Sequence, residues 1–129
     1  MDLKQFDIKE TCEKGVFLTL CHPVTGEELD AKIKLVGRDS SRFRNKLRDL
    51  AQRQATGGKK KSQPIDIEKA DKEGAELLAA CTVGWIGIEE DGKAVPFSEA
   101  EAVRIYTDHR WIREQVDAFI ADRANFFPK

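Results

Sequence analysis

Apolar and polar residues alternate over Ala31-Lys32-Ile33-Lys34-Leu35-Val36, and a β-branched and aromatic run, Val16-Phe17-Leu18-Thr19-Leu20, lies upstream. Both patterns predict strands, because successive side chains of a strand point to opposite faces. Between them, His22-Pro23-Val24-Thr25-Gly26-Glu27 has turn chemistry, with Pro fixing one φ and Gly permitting a positive one. The two runs therefore predict a hairpin with a long loop, and Phe6-Asp7-Ile8 predicts a short additional edge strand.

Periodicity changes after Gly37. Asp39-Ser40-Ser41 offers cap oxygens, and Phe43, Leu47, Leu50 and Ala51 recur at helical spacing, which predicts a helix over about 41–54. A second helix is predicted over about 66–83, with Ile67, Ala70, Leu77, Leu78 and Cys81 as buried candidates. The last helical region opens at Ser98 with a capping box, in which Ser98 caps and Glu101 reaches back. A bend is expected near Thr107-Asp108, and Ile112, Val116, Phe119, Ile120 and Arg123 then share one face up to about Ala124. Residues 125–129 are expected to form a tail. The expected fold is a single small α+β domain, an N-terminal β-hairpin packed on three to four helices.

Charge divides the chain. Residues 1–37 hold five Lys/Arg against seven Asp/Glu, residues 38–61 nine against two, and residues 62–129 eight against fourteen. The net charge of -1 thus hides a basic block of +7 between acidic flanks. Within it, Thr56 to Pro64, with Lys59, Lys60 and Lys61 in a row after two glycines, predicts a flexible basic loop at about 56–64. No apolar run approaches the roughly 18 residues of a membrane span, and the amino terminus lacks the basic and apolar regions of a signal peptide. Three cysteines without CxxC spacing suit reduced thiols. A cytoplasmic protein is expected.

Candidate chemistry is sparse. A zinc site would draw on Cys12, Cys21, His22, Cys81 and His109, but these lack the paired spacing with which one turn supplies two ligands. A nucleophile needs a base and an orienting group, and nothing in the sequence brings a His to Cys81. Glu89, Glu90 and Asp91 stand beside Gly92 and read as a solvated turn. Neither Gly84-Trp85-Ile86-Gly87 nor Gly57-Gly58-Lys59-Lys60-Lys61-Ser62 has Walker spacing. No catalytic, cofactor-binding or metal-binding residue is assigned, and the chain is read as no enzyme. Arg42, Arg44, Lys46, Arg48 and Arg53 could neutralise phosphates. They lack an accompanying aromatic, zinc-finger or helix-turn-helix motif, so weak nucleic-acid binding through 38–61 by a small regulatory protein stands as the alternative reading.

One stretch is organised without being catalytic. Thr82-Val83-Gly84-Trp85-Ile86-Gly87 sets a tryptophan between two glycines at the end of a small-residue helix, an acidic Glu89-Glu90-Asp91-Gly92 turn follows, and Val95-Pro96-Phe97 leads into Ser98 and Glu101. Trp85, Gly84, Gly87, Ser98 and Glu101 are assigned structural roles, Trp85 as a buried ring where helix meets turn. With His22 to Glu27 upstream and Val116 to Phe126 downstream, this pattern resembles the tail assembly chaperones of long-tailed, siphovirus-type bacteriophages. The resemblance implies a non-catalytic protein of the host cytoplasm. It would bind the tape-measure protein, the tail-tube protein and a frameshift-extended form of itself during tail construction. Trp111, Phe126, Phe127 and Lys59 to Lys61 are the candidate contacts.

Overall fold

The computed structural model describes residues 1–57 and 67–127 of the chain. Its sheet grows from the alternating segments. Strand β1 (Val16–Cys21) pairs antiparallel with β2 (Glu28–Leu35), Leu18 opposite Ile33 and Thr19 opposite Lys32, with a register shift between Thr19 and Cys21. The loop is held by His22: its Nδ1 accepts hydrogen bonds from the Val24 and Thr25 N–H groups at 3.1 and 3.2 Å, and Gly26 takes a positive φ of 75°. The hairpin is as expected.

A third strand, β3 (Thr82–Ile86), adds to the other side of β2, giving the order β1-β2-β3. The sequence pattern placed these residues at the end of a helix, and that expectation is corrected. Helix α3 (Ile67–Ala80) stops at Ala80, the Cys81 carbonyl accepts a 2.8 Å bond from Val36 N–H, and Trp85 pairs with Ile33. Val83, Trp85 and Ile86 favour extended backbone, and pairing with β2 offers them a ladder that their own neighbours cannot. A two-stranded ribbon, β4 (Glu89–Glu90) and β5 (Lys93–Ala94), turns through Asp91 and Gly92, both at positive φ as a tight hairpin turn requires.

Helix α2 (Ser41–Gly57) begins as expected: Ser40 Oγ accepts from Phe43 N–H at 3.2 Å and donates to Gly37 O at 2.6 Å. Its predicted stripe is only partly buried, with Leu50 inside and Leu47 largely exposed. In α3 the buried set is Ala75, Leu78, Ala79 and Ala80, whereas Ile67 and Ala70 lie outside. The last region bends one residue beyond the expected place. Helix α4 (Glu99–Asp108) ends at His109, and α5 (Arg110–Ala121) buries Ile112, Val116 and Ile120.

The predicted edge strand at Phe6 to Ile8 is absent from the described residues. A 3-10 turn spans Leu3–Phe6, and a short helix α1 (Lys9–Lys14) follows. Alternation over three residues was too short a pattern to outweigh packing: Ile8 and Cys12 of this segment bury against Phe126 in a second, smaller core. A Cβ on Gly37 would lie 2.6 Å from Cys12 Sγ, so the bare glycine is what lets α1 dock. The main core gathers the inner sheet face, Leu20, Ile33 and Leu35, against Leu78, Ala79, Ile105, Tyr106 and Val116. The described residues thus form an α+β fold with the helices on one face of a three-stranded antiparallel sheet.

Candidate functional site

Trp111 is the candidate contact around which the structure builds a site. Partly buried on the first turn of α5, it lines an open hollow of about 240 Å³ whose floor is Leu20, Leu29 and Ala31 of the hairpin and whose other wall is Ile88, Ile105 and Ile112. Glu89, Glu90 and His109 stand at its margin. Gly87 closes the hollow at the backbone: at φ 81°, a Cβ there would collide with the Asp30 carbonyl oxygen, so the glycine lets β3 and β2 cross closely. Gln115 of α5 clasps the end of β1, donating to Cys21 O at 2.8 Å and accepting from Cys21 N–H at 2.9 Å. Helix α5 is thereby tied to the hairpin beside the hollow. These lining residues come from four separated segments, so no local pattern in the sequence could have assembled them.

Around the site, charge is tied down. Arg104 donates to Glu90 at 2.6 and 3.2 Å and to Glu101 at 2.7 and 2.9 Å. The hydrogen bonds from Arg104 hold the Glu90 carboxyl below the usual carboxylate range. This corrects one half of the expected capping box. Ser98 Oγ does accept from Glu101 N–H at 3.1 Å, but the Glu101 carboxylate binds Arg104 instead of reaching back to the cap. Two opposed carboxylates around one guanidinium give stronger, charge-assisted bonds than a backbone amide would.

Trp85 is on β3 rather than at a helix end. It is half-buried, donating from Nε1 to Val95 O at 2.8 Å and meeting Phe97 edge-on with centroids 5.0 Å apart. It pins the segment after β5 to the sheet. Gly84 is extended, with open space where a Cβ would stand, so no close packing demands a glycine there.

Of the tail aromatics, Phe126 is a corrected expectation. It is 1% exposed, in a 3-10 turn over Arg123–Phe126, packed edge-on against Phe119 at 5.6 Å and against Ile8 and Cys12. The turn is capped by Asp122, whose carboxylate accepts from Ala124 N–H at 3.0 Å, and Asn125 donates to Phe119 O at 3.0 Å. What was read as a tail is therefore a docked end. Phe127 beside it is 38% exposed. Lys59, Lys60 and Lys61, and with them most of the expected basic loop, lie outside the described residues, as do Pro128 and Lys129.

The basic block is partly spent within the fold. Arg53 donates to Glu76 at 2.9 Å, Lys46 lies between Asp49 and Glu76 at 3.9 Å from each, Arg42 reaches Ala80 O, and Arg38 lies over the Phe43 ring. Arg44 and Arg48 are exposed. A second hollow of about 240 Å³ lies between α2 and α3, lined by Leu47, Leu50, Leu77 and Glu73, whose Oε2 is buried without a hydrogen-bond partner among the described residues.

The thiols are free and differ in setting. Burial pushes Cys81 up to about 12 and also raises Cys12, which disfavours the reactive thiolate at both. Tyr106 is raised by burial and bonded to Thr82 Oγ1 at 2.7 Å. Among the described residues no group of three His, Cys, Asp or Glu side chains converges as a metal site, and no helix is long and apolar enough to cross a membrane. No family model, curated protein or solved structure matches the chain.

Proposed function

We propose that the chain is a non-catalytic assembly chaperone of phage tails, binding tape-measure and tail-tube subunits while the tail is built. The observation that carries this reading is the open apolar hollow beside Trp111. Such a hollow would take an apolar side chain of an amphipathic partner helix beside the indole, with polar residues one turn away near Glu89 and His109. Aromatic side chains at the edge of such hollows supply large contact area with few rotatable bonds. Its further support is the likeness of the Thr82 to Glu101 stretch to the tail assembly chaperones.

Co-expression with the tape-measure protein encoded in the same genome, followed by affinity capture, tests the proposal. Wild-type chain is expected to retain the tape-measure or tube subunit, and Trp111→Ser to lose it while keeping its circular dichroism spectrum. Retention of neither subunit by the wild type would overturn the reading. Retention that is indifferent to Trp111 would move the contact away from the hollow.

A further inference from the structure

The outer face of the sheet, opposite the helices, carries an ordered set of charges. Burial along β2 alternates, with Ala31, Ile33 and Leu35 inside, so Glu28, Asp30, Lys32 and Lys34 share the other face. Read along the strand, that face is acidic, acidic, basic, basic. None of the four makes an ion pair within the chain among the described residues, and Lys34 instead lies 5.6 Å over the Phe17 ring. Cross-strand rows complete the surface: Phe17 and Gly84 flank Lys34, and Thr19 and Ile86 flank Lys32. Phe17 is 48% and Ile86 58% exposed, so two large apolar side chains stand beside unpaired charges.

We infer that this face is a homodimer interface, in which a second copy of the chain packs sheet to sheet about a two-fold axis crossing β2 at Ala31. Such an axis sets the two β2 strands antiparallel. It then places Asp30 against Lys32 of the second copy and Glu28 against Lys34, with each contact made twice as an isologous interface requires. A two-fold axis along the strand would instead stack like on like. The −−++ order is thus complementary to itself in one orientation only, and like-charge juxtaposition disfavours the other. Gly84, which puts no side chain on this face, leaves room in the Lys34 row for the approach of the second sheet. The mixed sign also selects the occupant: a nucleic-acid strand attracted to Lys32 and Lys34 would meet Asp30 two residues, about 7 Å, from Lys32 and Glu28 two residues further on. The surface lies on the opposite side of the sheet from the Trp111 hollow and depends on no partner assignment.

Sedimentation equilibrium from about 1 μM to about 1 mM, the span of weak to moderate association, tests the inference on the full chain. Wild type is expected to pass from monomer to dimer across that range. Asp30→Lys and Lys32→Asp should each weaken the dimer at least about tenfold by facing like charges. The double exchange Asp30→Lys with Lys32→Asp, which re-creates opposite charges across the axis, should restore most of it. All four positions are on the outer face, and far-UV circular dichroism checks that each variant folds. A wild type that stays monomeric throughout overturns the proposal. So does a dimer unmoved by the single exchanges, or a double exchange no better than either single one. Single-stranded oligonucleotide binding that Lys32→Asp abolishes, in a chain that does not dimerise, would give the face to nucleic acid.

Discussion

Helix α3 is held on its two sides by different means. Against α4 it presents Ala75, Leu78 and Ala79 to Ala102, Ile105 and Tyr106, all buried, and the polar atoms inside are matched: Thr82 Oγ1 donates to Leu78 O at 2.9 Å and meets the Tyr106 hydroxyl at 2.7 Å. Against α2 the joint is made by Leu50, the Arg53–Glu76 pair and a hollow containing a buried carboxylate oxygen without a partner. Small side chains let backbones approach and exclude water along the first seam. Long charged ones hold the second at a distance. The first seam fixes the fold, while the second leaves α2 as a loosely attached, basic outer layer.

Truncating the dry seam should have the largest effect. Leu78→Ala removes a buried side chain where neighbours cannot collapse, and a loss of about 2–5 kcal/mol is expected in chemical denaturation. A cost below about 1 kcal/mol would show the seam to be looser than its burial indicates. Next comes the hydroxyl pair: Tyr106→Phe deletes one bond, but Thr82 keeps Leu78 O as its acceptor, so about 1 kcal/mol is expected from the same measurement.

Titration separates an ion-paired carboxylate from a buried thiol by sign. Hydrogen bonding to Arg123 lowers the Asp39 carboxyl, so its contribution is present above the ordinary value of 3.8 and is lost as pH falls through the lower native value. At the other end of the scale, Cys81 is raised by burial. Its contribution is intact below 9.0 and is lost as pH rises toward about 12. Melting curves should therefore fall in acid for the wild type and less steeply for Asp39→Asn, with an alkaline fall that Cys81→Ala reduces. Equal acid slopes for both proteins would remove the Asp39–Arg123 pair from the account. The smallest shift belongs to Glu76→Gln, which should move the melting temperature less than Tyr106→Phe does while accelerating amide exchange in α2 ahead of α4.

Much of the fold was legible because it is locally written. A β-branched and aromatic run placed β1 and alternation placed β2, the Ser40 and Ser98 oxygens marked two helix starts, and the helical stripe of α5 named Ile112, Val116 and Ile120. What escaped depends on residues distant in sequence. Strand β3 is extended because β2 is beside it, yet Ala75 to Ala80 run into it with uninterrupted helical propensity. Phe126 reads as a terminal aromatic until Cys12 and Ile8 are placed around it. The hollow was legible only in Trp111, since its other walls come from the hairpin, the β3–β4 connection and α4.

The second core, in which Phe126 closes over Ile8 and Cys12 while Arg123 binds Asp39 at 2.9 Å, has a kinetic consequence. Cys12 and Phe126 are 126 − 12 = 114 residues apart, so during synthesis on the ribosome α1, tied to Gly37 and Ser41, lacks its aromatic cover until Phe126 has emerged. The loop that this contact closes is long, and loop-closure entropy must be met before the contact can reward it. Within the main core the β1–β2 hairpin, whose strands are sequence neighbours, can form first, whereas its closure by α5, as in the Gln115–Cys21 clasp, is also long-range. Closure of Phe126 over α1 is accordingly expected late in folding, and amide exchange in the 123–126 turn faster than in β2 checks it.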